Sequence, residues 1–311
     1  MTSPPYISVV MPCFNGAKLL KHSINSVFKQ TFPHIELIVV NDGSTDHSLD
    51  ILNDINDPRL VIINQPNTGV CQARNNGITV SKGSFIAFLD ADDTWEPECL
   101  AKLYQALITH PQAALAYCGW QNIGLSGGQA APFIPPDYEQ SNKFEKLFEN
   151  CRWPIHATLT RRFAIIEAGL FYEQLLTSED FLLWLKIGSQ YKITLVPEVL
   201  AYYHHHDGVQ ATHNKEKAAI NHWLAQQLFL QENKNFASMI GKQGIRQLMH
   251  GELLRRGYDC YWKRDLKAAR AIFKMVMRQH YGSFSDWKYM LPAILPYPIH
   301  KILLNKMDSS S

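Results

Sequence analysis

Short apolar runs alternate with helically patterned stretches through the first 120 residues. Ile7 to Met11, Ile35 to Val40, Leu60 to Ile63, Phe85 to Leu89 and Ala113 to Tyr117 are near-continuous apolar runs, as strands buried on both faces require. Lys18 to Lys29, Ser48 to Ile55, Val70 to Val80 and Pro97 to Thr109 read as helices between them. Ser44 and Thr45 before the second helix, and Pro97 at the start of the fourth, are expected helix-start residues. This alternation predicts a right-handed, mostly parallel α/β sheet flanked by helices. Gly124 to Asp137 is rich in glycine and proline and reads as a loop. Beyond it, Phe163 to Ala168 and Asp180 to Ile187 look helical, Lys192 to Val196 and Leu200 to Tyr203 look like two short strands, and from about Asn214 the pattern is wholly helical. The expected division is a first domain over residues 1–210, with halves at 1–120 and 121–210, and a helical C-terminal extension over 211–311.

The chain has 311 residues, 46% hydrophobic and 19% charged, enough to bury a large core, which excludes global disorder. Its net charge of +2 gives no whole-chain basic field, so nucleic acid is not an expected partner. The charge is unevenly placed. From Gly241 onward there are 13 Lys+Arg against 5 Asp+Glu, so the tail is basic and the first 240 residues are acidic. Six scattered cysteines form no CxxC pair, and reduced thiols in a cytoplasmic protein are expected. Met1 to Tyr6 is polar, unlike a signal peptide, and the longest uncharged stretch, Pro111 to Pro136, is too rich in glycine, proline and amides to span a membrane as a helix.

The strongest chemical signal is FLDADD, Phe88 to Asp93, an apolar strand ending in carboxylates. Period-two alternation puts Asp90 and Asp92 on one face, where two oxygen ligands suit a divalent cation that keeps water and phosphate in its other positions. An acidic turn capping the next helix is the plainer alternative. VVNDGSTD, Val39 to Asp46, is a second buried strand running into a polar turn, and in an open α/β sheet ligands sit outside such strand ends. Asp42 could accept an N–H from a nucleobase, or the segment could be only a turn. In NTGVCQARNNG, Asn67 to Gly77, Arg74 lies on a helix and could pair with Asp42, with phosphates, or in a surface salt bridge.

Together these segments resemble family 2 glycosyltransferases, the inverting nucleotide-sugar enzymes of the GT-A fold. PCFN (Pro12 to Asn15), VNDGSTD, NTGVCQARNNG, FLDADD and SED (Ser178 to Asp180) occur in the family's order over roughly residues 6–210. The resemblance implies a nucleoside-diphosphate sugar donor, with a UDP-sugar expected, and a glycan or lipid-linked acceptor in the making of a surface polysaccharide or glycolipid. It implies that Asp42 and Arg74 hold the nucleobase, that Pro12, Asn15, Ala91 and Glu179 line the donor, and that Asp90 contacts the ribose or the metal side. Asp92 would bind Mg²⁺ or Mn²⁺ across the diphosphate, and Asp180 would be the catalytic base. The residues themselves are compatible, since TSED precedes an apolar helix and places Glu179 and Asp180 in its first turn, where the dipole favours ionised carboxylates. Capping by Ser178 is the competing account.

In YYHHH, Tyr202 to His206, the family often carries a histidine near the donor phosphates, and His205 fits that position best by spacing, as a metal ligand beside Asp92. Tyr203 stands where the family commonly has arginine, a departure that removes a phosphate contact. In RWPIHAT, Trp153 could stack on a sugar, although a core tryptophan is the simpler reading.

In a helix over Lys263 to Arg278, Lys263, Lys267, Arg270, Lys274 and Arg278 share one face, opposite Leu266, Phe273, Val276 and Met277. Peripheral contact with an anionic membrane at the inner face of the cell membrane is one reading, aided by Trp287 to Pro298; packing of the apolar face on the catalytic domain is the other. Two rival functions are an inactive nucleotide-sugar-binding homologue and a metal-dependent nucleotidyltransferase. Retention of Asp180 argues against the first, and the lack of a Gly-rich basic N-terminal loop against the second.

Overall fold

A computed structural model describes residues 7–206 and 214–299. Eight strands, β1 (Ile7–Cys13), β2 (Ile35–Asp42), β3 (Leu60–Gln65), β4 (Phe85–Phe88), β5 (Thr94–Trp95), β6 (Ala113–Ile123), β7 (Thr158–Arg161) and β8 (Lys192–His204), form one sheet in the order β3-β2-β1-β4-β7-β6-β8-β5. The β3-β2-β1-β4 part is parallel, whereas β7 pairs antiparallel with both β4 and β6, and β5 antiparallel with β8. The sheet is therefore mixed, with the parallel character expected from the sequence concentrated in its first half. Every residue of β1 and β2 is buried, as strands covered on both faces must be.

The connecting helices are α1 (Leu20–Phe28), α2 (Ser48–Asn53), α3 (Val70–Val80), α4 (Cys99–Thr109), α5 (Lys143–Glu149), α6 (Arg162–Glu167) and α7 (Glu179–Gln190). Ala73 of α3 packs with Ile38 and Val40 of β2, and Val61 and Ile63 of β3 close over them. Gly77 lets α3 approach β1, because a Cβ there would stand 2.4 Å from Val10 Cγ1.

Three local expectations are corrected. Ser44 and Thr45 do not cap α2; His47 holds the cap position, and the Asp46 carboxylate takes the Ser48 N–H at 2.9 Å. Pro97 lies outside α4, which starts at Cys99. Lys192 to Tyr203 is one strand rather than two. Pro197 has no N–H to give, and β8 accommodates it by a register shift in which Cys118 faces Val196 and Gly119 faces Val199.

The chain divides into two compact units. One runs through Gln174 and resumes at Leu182; the other consists of the segment Leu175–Phe181 with the C-terminal helices. The second unit contains α8 (Lys215–Glu232), α9 (Lys234–Arg246), a π-helical turn at Gln247–Gly251, α10 (Glu252–Trp262), α11 (Leu266–Arg278) and α12 (Phe284–Met290). The helix expected from Lys263 begins instead at Leu266, capped by the Asp265 carboxylate, so Lys263 is not on the basic face. The apolar face of α11, including Leu266, Phe273, Val276 and Met277, is buried among α8 and α10 and is not open to a membrane. Among the described residues, no helix is long and apolar enough to cross a membrane.

Gly77→Ala forces a methyl into the Val10 side chain, and such overpacking costs about 2 kcal/mol. Urea unfolding is expected to show this loss with an unchanged m-value, and a variant as stable as the native chain would contradict the α3–β1 packing.

Candidate functional site

The chain leaves β1 through a turn that is fastened to the end of β2. Asn15 adopts φ +52°, a conformation that asparagine tolerates better than most residues. Its Oδ1 accepts the N–H groups of Thr45 (2.8 Å) and Asp46 (3.3 Å), while its own N–H donates to Ser44 Oγ at 3.0 Å. Asp46 returns the tie by accepting the Ala17 N–H at 3.0 Å. The Asn15 side chain thus joins the loops that end β1 and β2. Pro12 is buried in β1 opposite Val40, past the last residue that pairs with β4.

Asp42, the last residue of β2, is 3% exposed. Its Oδ1 accepts from Gln65 Nε2 (2.8 Å) and the Thr68 N–H (2.9 Å), and its Oδ2 from the Gly69 N–H (2.9 Å). The carboxylate therefore holds the turn that leads into α3, and Oδ2 keeps lone-pair capacity for a further donor such as a base N–H. Arg74 does not pair with Asp42. From α3 its guanidinium, 3% exposed, reaches across to Asp90 with Nη2 2.7 Å from Oδ1, and lies over the Phe171 ring.

β4 ends at Phe88, and the chain turns through Leu89–Asp93, whose aspartates each meet a different partner. Asp90 has Arg74. Asp92 Oδ2 lies 3.0 Å from His206 Nε2. Asp93, fully enclosed, accepts the His204 N–H on Oδ1 at 2.9 Å and has His156 Nδ1 3.0 Å from Oδ2. Ala91 packs toward the β1 loop, where a Cβ at Gly16 would stand 3.3 Å from its own. Burial, then the charges of Asp93 and Asp90, push the Asp92 carboxyl up to about 6, with His206 opposing the rise. Burial works against an imidazolium at His156, but the charges of Asp93, Asp90 and Asp92 outweigh it and raise that histidine above its ordinary range.

The histidine tract is read differently by the structure. His205, the residue favoured by spacing, has Nε2 2.8 Å from Asn122 Oδ1 and its ring against Tyr203. His204 meets Thr94 Oγ1 at 2.9 Å. His206, two residues beyond the end of β8, faces Asp92 instead, with Nε2 3.0 Å from Oδ2. His156, in the RWPIHAT segment, is fully buried against Asp93 of the acidic turn. The signal available for it was a lone histidine in an apolar segment, which does not announce a carboxylate partner from another element. Trp153 is a core residue, stacked on Tyr117 with ring centroids 4.4 Å apart, and is closed to a sugar. Glu179 and Asp180 open α7 and belong to the segment that groups with the helical unit. Ser178 before them has φ +63°, and the Asp180 carboxylate accepts the Phe181 N–H at 2.7 Å. Among the described residues, no group of three or more His, Cys, Asp or Glu side chains forms a ready metal cage.

The raised Asp92 pKa has a definite stability consequence. Between about pH 4 and 6 the folded chain keeps a proton that the unfolded chain releases, so the unfavourable contribution of Asp92 grows with pH and is complete above about 6. With chelator present, Asp92→Asn is expected to melt above the native protein at pH 8 and level with it at pH 4. A difference independent of pH would contradict the assignment.

The sequence and the fold have counterparts among known proteins. The chain is 32% identical over 177 residues to the glycosyltransferase GlyA of Streptococcus pneumoniae serotype 4, covering 54% of this chain and 25% of that protein. It therefore spans about a quarter of that relative's length. The crystal structure of Staphylococcus aureus TarS 1–349 in complex with UDP-GlcNAc superposes with a TM-score of 0.60 at 19% identity, covering 87% of this chain and 84% of that one. The mannosyltransferase PcManGT of Pyrobaculum calidifontis, in complex with GDP-Man and Mn²⁺, gives 0.59 at 17% identity, covering 96% and 83%. These two likenesses establish a shared fold, the GT-A architecture. The model of glycosyl transferase family 2 matches residues 8–173, more than half of the sequence, and the chain belongs to that family.

Proposed function

We propose that this chain transfers a sugar from a nucleoside-diphosphate sugar, with a UDP-sugar as the expected donor, to a hydroxyl of a glycan or lipid-linked acceptor, inverting the anomeric centre. The observation that carries this reading is the arrangement of Asp42, Arg74, Asp90, Asp92 and His206 at and beyond the C-terminal ends of the parallel strands, where open α/β sheets bind ligands. The family membership and the nucleotide sugars bound by the two structural relatives support it.

A divalent cation, Mg²⁺ or Mn²⁺, fits the pair Asp92 and His206. The carboxyl lies among two further aspartates and is held in its protonated form up to about pH 6, so a cation would relieve an excess of negative charge. Two protein ligands leave positions for water and diphosphate oxygens. Bound there, the ion would offset the charge of the departing nucleoside diphosphate. Asp42, with its spare acceptor capacity, takes an N–H of the base, and Asp90, fixed by Arg74, faces the ribose or the metal side. Asp180 is the proposed base: it removes the proton of the acceptor hydroxyl while that oxygen attacks the anomeric carbon, and the bond to the diphosphate breaks with its electron pair. One displacement inverts the centre and needs no enzyme nucleophile. With the α11 apolar face covered, any contact with an anionic membrane falls to exposed residues such as Phe284 (95%), Leu291 and Ile294.

The test is the melting temperature of the native chain and of Asp92→Asn with UDP, GDP, dTDP or CMP, each with and without Mn²⁺. A rise for one nucleoside diphosphate that needs Mn²⁺ and disappears in Asp92→Asn is expected, and it names the donor base. A folded protein that responds to no nucleotide would overturn the proposal.

A further inference from the structure

Helix α8 carries buried residues that simple packing does not require. Asn221, His222 and Gln226 are at most 9% exposed, on a helix whose other buried positions are alanine, tryptophan and phenylalanine. Polar side chains are kept inside a protein only when they meet partners, and such partners commonly fix a unique arrangement. Two of these three meet the short segment that opens α7. Asn221 Nδ2 donates to Thr177 Oγ1 at 3.0 Å, with both residues buried. The His222 ring stacks on Phe181 at 4.1 Å between centroids and 27° between planes. Thr177 and Phe181 bracket Ser178, Glu179 and Asp180, so α8 grips the turn on both sides of Asp180.

That turn needs holding. Ser178 sits in the left-handed region at φ +63° without being glycine or asparagine, a conformation that persists only where the surroundings over-determine it. The segment Leu175–Phe181 also groups with the helical unit, while the chain on either side of it groups with the sheet unit. The family match ends at residue 173, so neither the turn nor its grip lies within the matched region.

We infer that Asn221 and His222 are positioning residues for Asp180, so that the C-terminal helical unit supplies the support of the catalytic base. The inference rests on the proposed role of Asp180, and its failure is separable from the failure of that role. Neither residue is assigned contact with donor or acceptor; each acts through the turn. Loss of either lets the carboxylate wander from the line of proton removal, and misplacement on the ångström scale costs on the order of 10²-fold in rate. Donor binding, which Asp180 does not carry, stays intact.

The experiment is steady-state transfer by the full chain, with donor KM and the nucleoside-diphosphate melting shift recorded for each variant. Asp180→Asn comes first: if it transfers at the native rate, the base assignment fails and this inference with it. If it is inactive, Asn221→Ala, Thr177→Val and His222→Ala are expected to lower kcat roughly 10- to 100-fold with donor KM and the nucleotide shift within about twofold. Thr177→Ser, which keeps the accepting oxygen, and His222→Phe, which keeps the stacked ring, should restore most of kcat. Native kcat in the Asn221 and Thr177 variants overturns the inference. So does a parallel loss of kcat, nucleotide shift and melting temperature that Thr177→Ser and His222→Phe share, since that is the mark of a purely structural contact.

Discussion

Three carboxylates within four residues, Asp90, Asp92 and Asp93, cannot stand at a strand end unless their mutual repulsion is compensated, and the sheet unit is organised around that compensation. Each has its own partner from a different element: Arg74 from α3 for Asp90, His206 beyond β8 for Asp92, and His156 with the His204 N–H for Asp93. At Asp92 the balance is incomplete, for its carboxyl is pushed up to about 6 despite His206. On the proposed function, a divalent cation that arrives with the donor would supply the missing positive charge at Asp92 and His206.

The parallel strands β1, β2 and β4 bring Asp42 and the acidic turn to one edge, as a doubly wound arrangement does. The compensating histidines come from around the mixed half, where β7 runs antiparallel to its neighbours and β6 and β8 run parallel: His156 lies in the turn before β7, His204 ends β8 and His206 follows it. Pairing of β5 with β8, Thr94 opposite Tyr202, fixes the end of β8 beside the acidic turn. Asn15, Asp46 and Asp42 meanwhile spend their polar atoms on neighbouring loops, so the rim is preorganised by its own hydrogen bonds.

What could be read in the sequence follows from which signals are local. The strands β1 to β4 and helix α3 are legible because their apolar runs are short, bounded and of one period, and Val70–Val80 is found with its ends in place. The acidic turn is legible because a carboxylate run after a buried strand has few other uses. Pairings between distant elements are not: nothing near Arg74 in sequence says that its partner is Asp90 and not Asp42, and nothing near His156 points to Asp93. His205 fits the family's histidine position by spacing, but the chain leaves β8 at His204, and spacing along a strand does not carry over to the residues beyond its end. Lys263 fell outside α11 because the chain breaks at Arg264, φ +63°, a break that side-chain periodicity does not record.

The central claim is that Asp92 and His206, and not His205, form the protein's share of a cation site that works with a nucleoside diphosphate. Mn²⁺ affinity measured by electron paramagnetic resonance at pH 7.5, with and without the nucleoside diphosphate that stabilises the chain, tests it directly. The account predicts that the nucleotide tightens Mn²⁺ binding in the native chain and in His205→Ala, and that His206→Ala weakens it about 10- to 100-fold. Weakening by His205→Ala with His206→Ala unchanged would contradict it.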